Sequence, residues 1–290
     1  MSEQLEQSKV LTRTETKTPE VLKEKGVIAI ATTTFYPDWN GDSGYEKTSQ
    51  KVRGDIALAT IEEAKKHGYQ LIVVDGGSSQ AFKERLSSLG VEFSNQVELG
   101  MSSGRQQAFK EAADLKGVQV IVWTEPEELS IIRDCLPEAV VPILTGEADI
   151  VIPKREEKSF ATYPSYQVEY EKRANRLWNA ILRKQGLLPK HSEDLDVWFG
   201  PKFFKNSPEI LELFLAKYEF KKGERALDSR LKVTGVKVRY VHPKEQTAIE
   251  LENIAEFSKK RDIQFKDIIV TTIHFIRLLR HDTKSRLIAG

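Results

Sequence analysis

The sequence predicts an α/β protein built on a mostly parallel β-sheet flanked by helices. Three observations carry that prediction. Short apolar runs at Val27–Ala31, Leu71–Val74 and Val118–Trp123 recur along the first half and are rich in β-branched residues. Longer segments between them bring apolar residues back with a helical period. Turn residues separate the elements: an Asp/Asn/Gly-rich loop over 38–44 and Asp75-Gly76-Gly77-Ser78-Ser79 directly after the second run. Strand and helix alternating in this way imply parallel pairing, with helices on both faces of the sheet.

The elements follow in order. Residues 1–25 are polar and charged, and read as a flexible tail without the apolar core of a secretory signal. Val27–Ala31 reads as a strand buried on both faces. After a Thr/Tyr/Pro segment and an Asp/Asn/Gly loop, residues 48–67 place Val52, Ile56, Ala59 and Ala64 near one helical face, and Gly68 ends that helix. Leu71–Val74 is the second strand, 80–89 a helix, 91–93 a short third strand, 102–116 a helix and 118–123 the fourth strand. The pattern is less regular from about 136. It predicts a strand at 149–153, a helix at 165–185, a helix opening at Pro208 over 208–219, a strand at 237–241 and two helical stretches within 245–281.

Composition narrows the function classes. Lys and Arg total 44 against 43 Asp and Glu, a net charge of +1, which gives no bulk attraction to nucleic acid or to a membrane. The single cysteine, Cys135, excludes an intramolecular disulfide and any Cys-cluster metal site. A reducing, cytoplasmic setting is expected. No apolar run is long enough to span a bilayer.

Three segments carry chemistry, each at the end of a predicted strand. Val73-Val74-Asp75-Gly76-Gly77-Ser78-Ser79 turns sharply from strand to helix. Ligands of open α/β sheets sit beyond the carboxyl ends of strands, and this turn offers glycine backbone and a helix start; capping of the following helix by Asp75 explains it too. Gly100 to Ala108 opens a helix on a Gly/Ser turn and places Arg105 early in it, where an anion can be held by both charge and helix terminus, or where Arg105 is simply solvated. Trp123-Thr124-Glu125-Pro126-Glu127 delivers two carboxylates just past a strand, suited to a hard divalent cation or to an acidic surface turn.

Taken in order, these segments resemble a nucleotide-diphospho-sugar glycosyltransferase of the GT-A fold, in the style of family 2. The first strand and its Thr/Tyr/Pro loop, with Thr33 and Tyr36, resemble the family's nucleotide-contacting turn. Asp75, Gly76 and Ser78 resemble its Asp-x-Gly-Ser-x turn, and Gly104 and Arg105 its helix beside the donor. Glu125-Pro126-Glu127 stands where the family has its DxD metal motif, with glutamates replacing aspartates. The resemblance implies a Rossmann-like nucleotide-sugar-binding half over 26–135, an acceptor-binding half over 136–260 and a C-terminal helical extension over 261–290. It also implies a nucleotide-sugar donor linked to UDP or GDP, a small-molecule or glycan acceptor, and Mg²⁺ or Mn²⁺.

The same resemblance suggests residues in the second half. In inverting members an aspartate before the last strand deprotonates the acceptor, which points to Asp228; a surface ion pair with Arg225 or Arg230 is the plainer explanation. Asp194 and Asp196 are rivals, and Trp198 and Phe199 beside them can stack on a sugar or belong to the core. In retaining members acting on glycerate-type acceptors a histidine here completes the metal site, so His242 would join Glu127 as a ligand. Tyr163, Gln167, Glu171 and Asn175 make a polar stripe at i, i+4 steps that suits sugar hydroxyls or water. Two other readings compete: a sugar-phosphate nucleotidyltransferase, disfavoured because Thr32-Thr33-Thr34 replaces a Gly-rich basic loop, and a binding protein of the same fold without catalysis. The 265–290 segment is expected to pack on its own domain, with a partner surface or a membrane surface as the alternatives; a homo-oligomer is a separate alternative for the chain as a whole.

Overall fold

The structure, a computed structural model, describes residues 25–41, 48–184, 188–215 and 232–263. The chain runs β1 (Ile28–Thr34), α1 (Ser49–Lys66), β2 (Gln70–Asp75), α2 (Gln80–Ser88), β3 (Ser94–Asn95), α3 (Met101–Ala113) and β4 (Val120–Trp123). A π-helical turn and the short α4 (Leu136–Ala139) and α5 (Val141–Leu144) lead to β5 (Ile150–Arg155). Then come α6 (Glu157–Phe160), α7 (Ser165–Lys184), β6 (Lys202–Lys205), α8 (Pro208–Leu215), β7 (Val233–Val238) and α9 (Lys244–Glu252).

The strands form one sheet in the order β3-β2-β1-β4-β6-β5-β7. Pairing is parallel for β3, β2, β1 and β4 and for β5 with β7; β6 runs antiparallel to both β4 and β5. The architecture is therefore the mostly parallel, helix-flanked sheet the sequence predicts, with one reversed strand. The parallel strands all end on one edge, which collects the loops after Thr34, Asp75, Trp123, Arg155 and Val238.

Both faces of the sheet are covered, and that explains the unbroken apolar runs. In β4, Val120 and Val122 belong to one buried cluster with Ile131, Leu136, Val151 and Phe203. Ile121 and Trp123 point the other way, into a cluster with Phe109, Ile152, Phe204 and Ile210. Side chains alternating across a strand that has no solvent face leave no polar positions to break the run.

Several expectations need correction. The third strand is not 91–93 but Ser94–Asn95, because Val91 packs into the cluster of Phe82 and Leu86 and the chain meets β2 only at Val74 and Asp75. The last strand is not 237–241 but Val233–Val238, since its pairing with β5 begins at Ile150 opposite Val233. β6 was not anticipated; its sequence is Lys-Phe-Phe-Lys, too short for a period to show, yet Phe203 and Phe204 serve the two opposite cores. The predicted 102–116 helix ends at Ala113, and Gly117 (φ 83°) turns the chain into β4. The 208–219 helix is described to Leu215, and a helical stretch at 254–263 follows α9. The N-terminal tail, Asp228 with its flanking segment, and 264–290 lie outside the described residues. Among the described residues no helix is long and apolar enough to cross a membrane.

Phe204 is fully buried, stacks on Phe214 at 4.0 Å and meets Phe109 edge-on at 5.3 Å. Phe204→Ala should therefore lower unfolding free energy by about 3–5 kcal/mol, read as a shift of the urea midpoint at unchanged slope.

Candidate functional site

A cleft of about 610 Å³ opens at the carboxyl edge of the sheet. Glu125, Glu127 and Glu128 enter it from the loop after β4, Arg105 from α3, Arg53 from α1, Arg155 from the end of β5, Lys202 from the start of β6, and His242 from beyond β7. The position follows from topology: ligands of an open α/β sheet gather where its parallel strands end.

Charge pairing organises the cleft. Arg105 lies over the Trp123 ring at 4.9 Å and reaches Glu125 Oε1 at 2.7 Å. Arg53 reaches Glu127 Oε1 at 2.6 Å, although the approach is not aligned as a hydrogen bond. The Tyr36 phenol, wholly buried, sits against Glu127 and Arg53, and burial followed by the Glu127 charge pushes its pKa well up. Burial raises the Glu125 carboxyl above the usual range, with Arg105 opposing. Burial likewise lifts Glu128 to about 8, with Tyr240 opposing and the Glu125 and Glu127 charges adding to the rise, so Glu128 is a neutral acid at pH 7.

Behind these residues lies a buried ion cluster. Arg155 grips Asp196 with two donors, Nε to Oδ2 at 2.8 Å and Nη2 to Oδ1 at 2.9 Å, and Glu171 with a third at 2.5 Å. Its guanidinium is packed between Phe199 (4.5 Å), Phe160 (4.7 Å) and Tyr163 (5.1 Å). Asn175 donates to Asp196 at 2.6 Å and accepts from the Trp198 N–H at 2.9 Å; Asn179 closes a pair of hydrogen bonds with the backbone of Leu195. The polar stripe thus faces inward: Asn175, with Asn179, fastens the 195–198 segment, while Tyr163, Gln167 and Glu171 line the cleft.

The remaining site candidates fall into two groups. Glu125, Glu127, Arg105 and His242 share the cleft; half-buried Trp198 lines it, and Phe199 lines it from within the core. Thr33, Tyr36, Asp75, Gly76, Ser78 and Gly104 do not line it. Asp75 is 2% exposed and is spent on its own turn: it accepts from Thr34 Oγ1 at 2.9 Å and from the backbone N–H of Gly77 and Ser78, and pairs with Lys83 at 3.2 Å. Ser78 Oγ accepts the Tyr36 N–H at 2.9 Å. Gly77, at φ 117°, makes that turn possible. Gly76 and Gly104 flank the Gln96 carboxamide, whose Oε1 would lie 2.9 Å and 2.8 Å from a Cβ at either position; the Thr33 methyl is near Gly104 as well. Their bareness accommodates Gln96. Asp196 is corrected in the same way: both its oxygens are bound, and it anchors Arg155 instead of facing an acceptor.

Among the described residues no three His, Cys, Asp or Glu side chains converge as a ready-made metal set. Two ligands remain compatible with a cation that takes the rest of its shell from phosphate oxygens and water. Glu127 Oε1 is buried without a hydrogen bond, and so are both ring nitrogens of His242, whose ring stacks on Tyr163 at 4.2 Å with Nε2 3.4 Å from Glu250. The carboxylate suits Mn²⁺ or Mg²⁺ in that role, and the imidazole favours the softer Mn²⁺ of the two.

Arg53, Glu128, Arg155 and Lys202 are site residues that sequence reasoning missed. Arg155, a basic residue closing a strand, is the one a sequence signal could have found.

Burial alone would raise the Asp196 carboxyl, but the hydrogen bonds from Arg155 and Asn175 outweigh it and hold its pKa below the ordinary aspartate value. Its stabilisation is therefore present above the ordinary value of about 4 and lost as pH falls through the lower folded value. Asp196→Asn, which leaves Arg155 short of a charge, should cost about 3–5 kcal/mol at pH 7. The gap from wild type should shrink below about pH 4 in denaturant titrations.

No protein-family model matches the chain, and no curated protein matches it in sequence. Solved structures similar to it include glucosyl-3-phosphoglycerate synthase from Mycobacterium tuberculosis. One, in complex with Mn²⁺, UDP-glucose and phosphoglyceric acid, has 15% identity and a TM-score of 0.43; the match covers 64% of this chain and 59% of that one. A second, with Mn²⁺, UDP and phosphoglyceric acid, has 13% identity over 87% of this chain and 80% of that one, at a TM-score of 0.48. A third, again with Mn²⁺, UDP-glucose and phosphoglyceric acid, has 14% identity over 87% and 82%, at a TM-score of 0.49.

Proposed function

We propose that this protein is a divalent-metal-dependent glycosyltransferase of the GT-A type. It would move a sugar from a UDP- or GDP-linked donor to a hydroxyl of a small-molecule acceptor. One observation carries the reading: the Glu125-Pro126-Glu127 loop leaves β4 into the cleft that also holds Arg105 and His242.

Arg105, braced on Trp123, is placed to take charge from a diphosphate, and Arg53 is its counterpart on the α1 side. Glu127 and His242 would hold the cation, which supplies electrostatic stabilisation of the departing nucleoside diphosphate. Trp198, half-buried on the wall, offers an apolar ring face to a sugar. The inward-facing aromatic and ionic packing around Arg155 gives that wall a fixed position, as a site that orients a reacting pair requires. Asp228 is kept as the candidate base for an inverting reaction; a retaining reaction would need none.

A donor panel of UDP- and GDP-sugars with Mn²⁺, assayed for nucleoside diphosphate release, tests the proposal. Metal-dependent release, by transfer or slow hydrolysis, supports it. Donor binding without turnover identifies a non-catalytic binding protein, and consumption of nucleoside triphosphate with a sugar phosphate identifies a nucleotidyltransferase. Glu127→Gln removes one anionic ligand and should cut metal-dependent turnover by about 10²-fold or more. A fully active variant removes Glu127 from the site.

A further inference from the structure

The arginines lining the cleft already meet carboxylates. Arg53 is 2.6 Å from Glu127, Arg105 is 2.7 Å from Glu125, Arg155 is 2.5 Å from Glu171, and Arg261 lies 3.9 Å from Glu171 as well. Lys202 differs. Its Nζ donates to three successive backbone carbonyls, those of Phe199, Gly200 at 3.4 Å and Pro201 at 3.2 Å. Among the described residues no carboxylate lies within ion-pair distance of it.

That arrangement has an energetic meaning. An ammonium taken out of water needs compensation, and carbonyl dipoles supply less of it than an anion does. A cation held only by neutral acceptors in a cleft of matched pairs is the one that gains most from an incoming anion, because it has no internal counter-ion to surrender. The chain places it well for this: Lys202 opens β6, the reversed strand, so its side chain reaches the edge where the parallel strands end.

We propose that Lys202 is the anion receptor of the cleft and binds a phosphoryl oxyanion of the substrate. The identity of that substrate rests on the glycosyltransferase reading; the anion site itself does not. Two sources share the chemistry, the diphosphate of a donor and the phosphate of an anionic acceptor.

The electrostatics agree. Burial lowers the Lys202 pKa to about 8. The charged groups facing it are Asp196 from the loop before β6, which opposes that fall, Arg155 from β5 and Arg105 from α3, which add to it, and Glu125 from the loop after β4, which again opposes it. A lysine with a lowered pKa is part-deprotonated at pH 8, and an oxyanion beside it restores the proton. Binding at that pH should thus take up protons, a signature that a lysine serving only to close the 199–201 turn would not give.

The test is calorimetry on the full chain at pH 8.0 in two buffers of different ionisation enthalpy, with UDP, 3-phosphoglycerate and inorganic pyrophosphate as probes, with and without MnCl₂. Wild type should bind with net proton uptake. Lys202→Met should lose affinity by about tenfold or more together with the uptake. Lys202→Arg, whose charge is fixed, should keep most of the affinity and lose the uptake. Linkage with UDP alone assigns Lys202 to the donor, and with 3-phosphoglycerate alone to the acceptor. Equal affinity and equal uptake in wild type and Lys202→Met overturn the proposal, as does absence of linkage with all three probes. Pyrophosphate binding with uptake, in a protein that turns over no nucleotide sugar, leaves the anion site standing while the glycosyltransferase reading falls.

Discussion

The Arg155 guanidinium is the constraint on which the second half of the cleft is hung. It closes β5, so its backbone is fixed by the sheet, and its side chain satisfies Asp196 from the 192–199 loop and Glu171 from α7 at once. Each partner alone would be an uncompensated buried charge. Together with Asn175 and Asn179 they make a connected network, in which the position of any member is set by the others. Phe160, Tyr163 and Phe199 exclude water from it, strengthening every interaction inside. The wall formed by Trp198, Gly200 and Lys202 inherits its position from this cluster, because the chain runs into it directly from Asp196.

How much of this was legible in the sequence depended on range. The first, second and fourth strands, α1, α2 and the turn at Asp75 are local matters of period and punctuation, and they stand within a few residues of the expected bounds. β6 was not legible: two phenylalanines facing opposite cores show no alternation, and its reversed direction is settled by pairing across more than seventy residues of chain. The polar stripe of α7 misled for the same reason. A period of i, i+4 identifies a face but not what covers it: Asn175 and Asn179 are covered by a loop that begins beyond residue 190, while Glu171 meets Arg155 of β5 and lines the cleft.

Among the site residues the division is similar. Glu125, Glu127, Arg105 and His242 could be proposed because strand ends mark the functional edge of such a sheet, and they share the cleft. Asp75, Ser78 and Tyr36 occupy equally suggestive sequence positions, yet their polar groups close hydrogen bonds inside the fold. A strand-end aspartate followed by glycines encodes a sharp turn whether or not a ligand lies above it. Arg53 and Lys202 carry no local sign of function, since a basic residue on a polar helix face or at the start of a short strand is ordinary until the structure shows what it meets.

The pairing within the cleft bears on the use of glutamate in place of aspartate. Glu125 and Glu127 are separated by Pro126, which fixes the turn and sends their side chains to different arginines, on α3 and α1. The additional methylene of glutamate gives each carboxylate the reach to bridge from the β4 loop to a helix that an aspartate in the same backbone would lack. On the proposed function, a diphosphate would compete with these glutamates for Arg105 and Arg53, and Glu127, freed from Arg53, would be the residue to hold the cation. Anion and cation would then favour each other's binding through a shared set of side chains, a coupling free energy that must be reciprocal. Lys202 stands outside that exchange, because it has no carboxylate to release, and so it can hold an anion before either loop glutamate has changed partners.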